Sequence, residues 1–162
     1  MKKEIFYFMD KKMPIEWEFK RFEELTTFQL FEIYKLRTAI FVVEQNCPYQ
    51  EVDDKDLKAV HVMGYTNGKL VAYCRILPKG ISYDEVSIGR VAVDKAYRKF
   101  GYGRELMWQA IEYINQKMKT QAIRISAQLY LKEFYESLGF RQQKEEYLED
   151  GIPHIEMLKG KA

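Results

Sequence analysis

The sequence predicts a single α+β domain: a mixed, mostly antiparallel sheet with a central parallel strand pair and flanking helices in layers. Three observations carry this. Apolar residues alternate in short runs and recur at helical spacing in longer ones. Asn67-Gly68 stands between two β-type runs, the strongest short-range hairpin signal. The β-branched run Val86–Val93 leads through a loop holding Gly101 and Gly103 into a helix, so the strand after that helix lies parallel to the one before it, with a right-handed crossover.

In chain order, residues 1–13 are an N-terminal extension without an assigned role. Ile5–Met9 is strand-like there, and Met13 is a second start codon position. Residues 14–162 form one domain. The alternation around Trp17 and Phe19 predicts a first strand. Thr26 or Thr27 caps a helix that Leu30, Ile33, Tyr34, Arg37, Ile40 and Phe41 continue at helical spacing, with Leu36 filling out the apolar face. Phe41–Asp56 is acidic, contains Pro48 and reads as a helix end followed by a loop on the substrate side. Val60–Tyr65 and Lys69–Leu77 are the two arms of the hairpin, and Lys79-Gly80 opens the turn into Val86–Val93. Leu106, Met107, Ala110, Ile111, Ile114 and Met118 give a long helix ending near Lys119. Ala122–Ala127 is a strand. Tyr130–Leu138 is a short helix stopped by Gly139. Phe140–Leu148 and His154–Leu158 close the sheet across Glu149–Pro153.

Composition limits the function. The 162 residues are 47% hydrophobic and 31% charged, which is globular. A net charge of +2 gives no nucleic-acid footprint. No apolar run has the roughly 18–20 residues of a membrane span. Cys47 and Cys74 form neither metal spacing nor a disulfide framework, so the expectation is a reduced cytoplasmic protein, monomer or homodimer, with no metal.

The strand, glycine loop and helix start make an anion site, because glycines admit close backbone approach and first-turn N–H groups point outward. No G-x-x-x-x-G-K-[ST] phosphate loop is present, and Leu106 stands where a dinucleotide loop needs a third small residue. Arg98, Gly101 and Gly103 instead satisfy R-x-x-G-x-G. That pattern resembles the pyrophosphate loop of the GNAT superfamily of acetyl-CoA-dependent N-acetyltransferases. Gln128 followed by Phe134-Tyr135-Glu-Ser-Leu-Gly-Phe140 is similar to the GNAT segment where an Asn or Gln contacts pantetheine and a Tyr faces the thioester sulfur. Leu36-Arg-x-x-Ile-Phe-Val-Val-Glu-Gln-x-Cys-Pro-Tyr49 and Tyr147-x-Glu-Asp-Gly-Ile-Pro-His-Ile155 resemble the ElaA-like branch, in which Asp54 stands where Gly is expected. The resemblance spans residue 16 to the end. It implies the GNAT fold and an acetyl-CoA-dependent N-acyltransferase; it does not identify the acceptor, a small-molecule or peptide amine.

Acetyl transfer to an amine needs a held thioester, a neutral amine, a stabilised oxyanion and a proton for the thiolate. An amine of pKa about 10.4 must lose a proton, while a thiolate of about 8.5 can take one from a phenol near 10. The resemblance places the cofactor on the strand Val91, Ala92, Val93, with Gly89 opening the slot, and on the loop Arg98, Lys99, Phe100, Gly101, Tyr102, Gly103 and Arg104, with Gln128 and Phe134 flanking. Tyr135 is the expected general acid. For the base, Glu44, whose apolar neighbours Val42 and Val43 would raise its pKa if it is buried, stands beside His154, with Glu85 and Asp150 as further choices. Cys47 is an alternative acyl-carrying nucleophile, with a buried thiol the expected state. His61 reads as a strand residue. The acidic run Glu51–Asp56 suggests a cationic acceptor. The alternative function is a non-catalytic acyl-CoA-binding or regulatory module on the same fold.

Overall fold

An antiparallel run of four strands leads the sheet: β1 (Glu16–Arg21), β2 (Val60–Thr66), β3 (Lys69–Leu77) and β4 (Val86–Val93). These elements come from a computed structural model that describes residues 11–161. The strand-like segment Ile5–Met9 lies outside the described residues. β5 (Ile123–Gln128) joins β4 in parallel, and β8 (Ile152–Lys159) pairs antiparallel with β5. β6 (Arg141–Gln142) and β7 (Tyr147–Glu149) both pair with β8, giving the order β1-β2-β3-β4-β5-β8-β6. This is the mixed, mostly antiparallel sheet with one parallel pair that the sequence predicts.

Three helices cover the sheet. Thr26 caps α1 (Thr27–Arg37), its hydroxyl accepting from the Gln29 amide while Gln29 reaches back to the Thr26 N–H, a capping box. α1 does not stop near Phe41 but widens into a π-helical turn through Glu44. α2 (Tyr102–Tyr113) and α3 (Lys132–Ser137) follow β4 and β5. Alternate strand residues serve the two faces. Met63, Tyr73 and Ala92 pack with Ile33, Leu36 and Ile40 of α1, while Val62, Cys74 and Ile76 pack with Leu106, Met107 and Ala110 of α2. β3, covered on both sides, is accordingly buried from Leu70 to Leu77.

Two details differ from the sequence reading. The strand expected over Phe140–Leu148 is broken into β6 and β7. Gln143–Glu146 is wholly polar and exposed, so no buried face holds it to the ladder, and only the Gln143 N–H reaches the Glu156 carbonyl, at 2.9 Å. The connection expected over Glu149–Pro153 tightens to Asp150-Gly151, both with positive φ (50° and 77°), as a two-residue hairpin turn requires. Ahead of β1, Lys12 pairs with Glu105 and the Met13 carbonyl accepts from Tyr102 Oη at 2.6 Å, so these two residues are fastened to α2.

Candidate active site

The parallel ladder between β4 and β5 registers only at Val86–Ile123 and Ser87–Arg124. Beyond that, β4 follows β3 as far as Val93, and β5 follows β8 as far as Gln128–His154. The strands diverge and leave a wedge. Its cause is one extra residue on β4 between the pairs Tyr73–Ala92 and Arg75–Gly89. Arg90 takes it up in the left-handed region (φ 54°), an unfavourable conformation for a side-chain-bearing residue. Gly89, where the sequence suggests the bend, lies one position away. Arg90 is held there by Glu51, with Nε 2.8 Å from Oε1 and Nη2 donating to the backbone carbonyl at 2.9 Å.

The wedge is the inner part of a cleft of about 620 Å³. Val91, Ala92, Val93, Arg98, Gly103, Gln128, Phe134, Tyr135, Glu44 and His154 all line it, so ten of the residues expected to hold the cofactor or lead the chemistry share one cavity, with Gly89, Cys47 and Asp150 also lining it. Five others do not line it. Tyr102 is fully buried with its hydroxyl on Met13, and Phe100 packs against the Tyr102 ring 5.9 Å away, so only their backbone can face a ligand. Arg104 lies over the Phe134 ring and donates to Ser137 Oγ at 2.8 Å, and Lys99 Nζ sits over Phe100. Gly101 links the 3-10 turn Lys95–Phe100 to α2 with φ 77°, and supplies no side-chain cap to the first-turn N–H groups.

At the loop, Arg98 donates from Nε to the Val93 carbonyl (3.1 Å) and from both terminal nitrogens to Glu44 (2.6 and 3.0 Å). Glu44 is thus exposed and ion-paired rather than buried among apolar groups. Its pKa is lowered, chiefly by the Arg98 hydrogen bonds, so the rise expected for a buried Glu44 does not occur and the carboxylate is a weaker base. Its neighbour Gln45 exchanges amide hydrogen bonds with Gln128 (3.3 and 3.1 Å), a partner the sequence offers only as part of the F-V-V-E-Q block.

Tyr135 is buried, its ring edge-on to Phe134 and Phe140 at 5.1 and 6.0 Å, and burial pushes its pKa well above the ordinary phenol value. His154 Nδ1 lies 2.7 Å from the Ile152 carbonyl, which can only accept. Nδ1 therefore carries the hydrogen of the neutral ring and Nε2 keeps a lone pair. Nε2 stands 3.9 Å from Glu149 Oε2, and the ring stacks on Tyr147. Ser126 Oγ donates to Glu149 (2.7 Å) and is hydrogen-bonded to Tyr147.

The remaining candidates are occupied. Arg124 grips Glu85 with two hydrogen bonds and pulls its pKa down to about 2. Cys47 is buried with Sγ 3.5 Å from the Asp150 carbonyl. His61 is buried, accepting from Tyr73 and donating to the Asp56 carbonyl, and burial lowers its pKa. The acidic run is not a free negative surface. Glu51, Asp53 and Asp56 are matched by Arg37, Arg75 and Arg90, with pairs at 2.6–2.8 Å. Arg37 keeps the helical spacing of the inner face of α1, and Arg75 and Arg90 interrupt largely apolar strands, but nothing local says which acids they meet. Among the described residues no group of three or more His, Cys, Asp or Glu is placed to hold a metal, and no helix is long and apolar enough to cross a membrane.

Comparison with known proteins gives a consistent result. The model described as "Acetyltransferase (GNAT) domain" matches residues 32–161. Protein ElaA of Escherichia coli is 43% identical over 147 residues, covering 90% of this chain and 96% of that protein. Its crystal structure superposes with a TM-score of 0.85 over 91% of this chain and 100% of its own. A UPF0039 protein of Schizosaccharomyces pombe is 48% identical over 88% of this chain and 95% of its own length. The crystal structure of an acyl-CoA N-acyltransferase from Pseudomonas aeruginosa gives a TM-score of 0.84 at 40% identity, covering 90% and 99% of the two chains.

Proposed function

This chain belongs to the GNAT acetyltransferase family and has its fold, and on that premise we propose that it moves an acetyl group from acetyl-CoA to a primary amine by direct transfer in a ternary complex. One observation carries the proposal: the β4–β5 wedge opens into a cleft that both Tyr135 and His154 line. The residues fit the donor. β4 beyond Ser87 has no β5 partner, so its amides and carbonyls over 89–93 can pair with an extended amide-bearing arm. A Cβ at Gly103 would meet only Val93, at 3.7 Å, so the start of α2 is open to phosphate oxygens.

Bound acetyl-CoA supplies an activated acyl thioester. The strand Val91–Val93 holds its arm, and a backbone N–H there faces the negative charge developing on the acyl oxygen. The first-turn N–H groups of Tyr102, Gly103 and Arg104 receive the phosphates, with Arg98 exchanging Glu44 for a phosphate oxygen and Lys99 alongside. Gln128 turns from Gln45 to the arm, and Phe134 walls it. His154 Nε2 takes the proton that the incoming ammonium must lose. Tyr135 donates a hydrogen bond to the departing sulfur. Its raised pKa makes complete proton transfer from the phenol to the sulfur uphill, so the hydroxyl stabilises the charge and keeps its proton, while the nitrogen's second proton, lost as the tetrahedral adduct collapses, goes to the sulfur, which leaves as the free thiol. The buried Cys47, bonded to a carbonyl and without an adjacent base, favours direct transfer over an acyl-cysteine route.

The test is release of free CoA thiol from acetyl-CoA across a panel of primary amines, with calorimetric CoA binding alongside. Amine-dependent release is expected. Tight binding without release for any amine favours the non-catalytic acyl-CoA-binding module.

A further inference from the structure

The cleft extends past the transfer centre. The phosphate end lies at Arg98 and the start of α2, beyond the last residue of β4. At the other end the 78–85 loop delivers the chain into β4, and there Lys55 and Ser82 line the same cavity. Lys55 belongs to a 3-10 turn (Asp54–Lys58) capped by Asp53, whose Oδ1 accepts from the Lys55 amide at 3.1 Å. Asp53 is itself fixed by Arg75 at 2.6 and 3.0 Å. The ammonium is therefore carried on a rigid mount, and it donates to Ser82 Oγ at 2.8 Å.

Its charge is unmatched. The arginines on that wall are neutralised one for one by Glu51, Asp53 and Asp56, whereas Lys55 has a neutral hydroxyl and, among the described residues, no carboxylate within ion-pair reach. An ammonium has three donors, and a half-buried one without a counter-charge is poorly compensated. An oxyanion from a ligand would use the idle donors. At His154 the polarity is reversed, with Glu149 beside the ring and Asp150 in the adjoining turn.

Resting on the acetyltransferase reading, we propose that the acceptor is a small amine that also carries a carboxylate or phosphate group, the oxyanion held by Lys55 and Ser82 while the amine faces His154. Acids on the amine side and a cation at the far end give such a molecule one orientation. Tyr49 and Tyr83, which also line the cavity, bound its size.

Matched pairs test this: β-alanine against β-alaninamide, and O-phosphoethanolamine against ethanolamine. For each, kcat/KM is measured with acetyl-CoA, and binding to the CoA-loaded protein by calorimetry. The wild type should prefer the anionic member of at least one pair by about tenfold to a hundredfold, as for a hydrogen bond to a charged group. Which pair shows it separates a carboxylate from a phosphate ligand. Lys55→Met, which keeps the aliphatic stem, should bring that ratio close to one, and Lys55→Arg should restore part of it. A wild-type ratio near one in both pairs overturns the proposal, as does a preference that survives in Lys55→Met. The binding arm reads the anion site without turnover. Selective binding with no thiol release would defeat the acetyltransferase reading and leave the site standing; turnover without selectivity would do the reverse.

Discussion

Replacing Tyr135 by Phe removes one oxygen atom and leaves the ring where it is, wedged edge-on between Phe134 and Phe140. The hydroxyl has no hydrogen-bond partner among the described residues. Tyr135 lines the cleft, and its hydroxyl is not among the buried polar atoms left without a partner. Tyr135→Phe should therefore leave the melting temperature close to that of the wild type. The same hydroxyl meets the sulfur only as negative charge builds there, so its loss should fall on kcat and not on cofactor affinity. A hydrogen bond to a charged group is worth about 1.5–3 kcal/mol, which is roughly a 10- to 150-fold drop in kcat. Burial raises the phenol pKa above 10.0, so the hydroxyl stays protonated through neutral and mildly alkaline pH. The drop should accordingly be the same from pH 7 to about 9. Steady-state thiol release, calorimetry with CoA and a thermal melt measure the three quantities. A kcat within twofold of wild type would refute the role, as would an equal loss of affinity and turnover. A sharply lower melting temperature would show that the hydroxyl has a structural partner.

Four other outcomes follow from the geometry. Glu44→Gln should leave kcat within about threefold and change CoA affinity by no more than about fivefold, since its half-exposed pair with Arg98 is worth at most about 1 kcal/mol; a hundredfold fall in kcat would restore Glu44 as the base. His154→Ala should lower kcat by about a hundredfold or more and flatten the acidic limb of its pH profile, the size expected of a general base. Gly103→Val should weaken CoA binding at least about tenfold with the fold intact, because its side chain projects beside Val93 into the phosphate approach, whereas Gly101→Val should also lose about 1–3 kcal/mol of stability from its left-handed backbone; urea melts of both variants separate the effects. Glu85 has a folded pKa of about 2 against an ordinary 4.5, so its pair with Arg124 adds stability above pH 4.5 that fades as pH falls to about 2; the stability gap between wild type and Glu85→Gln should shrink over that window, and a gap independent of pH would refute the pairing.

The sequence by itself determined the order of the elements, the Asn67-Gly68 hairpin, the parallel pair and the glycine loop. Each rests on local chemistry: period, turn residues and a cap. It also picked out ten cofactor-binding or catalytic candidates that the chain brings to one cleft. The resemblance to a known family, not periodicity, supplied the roles of Gln128 and Tyr135. Tertiary structure decided what each charge does. Val42 and Val43 give Glu44 apolar neighbours in the sequence, yet a π-helical turn presents it to Arg98, 54 residues away in the chain. The run Glu51–Asp56 looked like an open acidic surface, yet Arg37, Arg75 and Arg90 reach it from a helix and two strands. Arg37 keeps the helical spacing and Arg75 and Arg90 interrupt apolar strands, but a buried cation is explained only by the acid it meets. The bulge of β4 puts the left-handed φ on Arg90 and not on Gly89, and Glu51 holds the guanidinium there. Backbone preference is written in neighbouring residues; the pairing of distant charges exists only once the chain has folded.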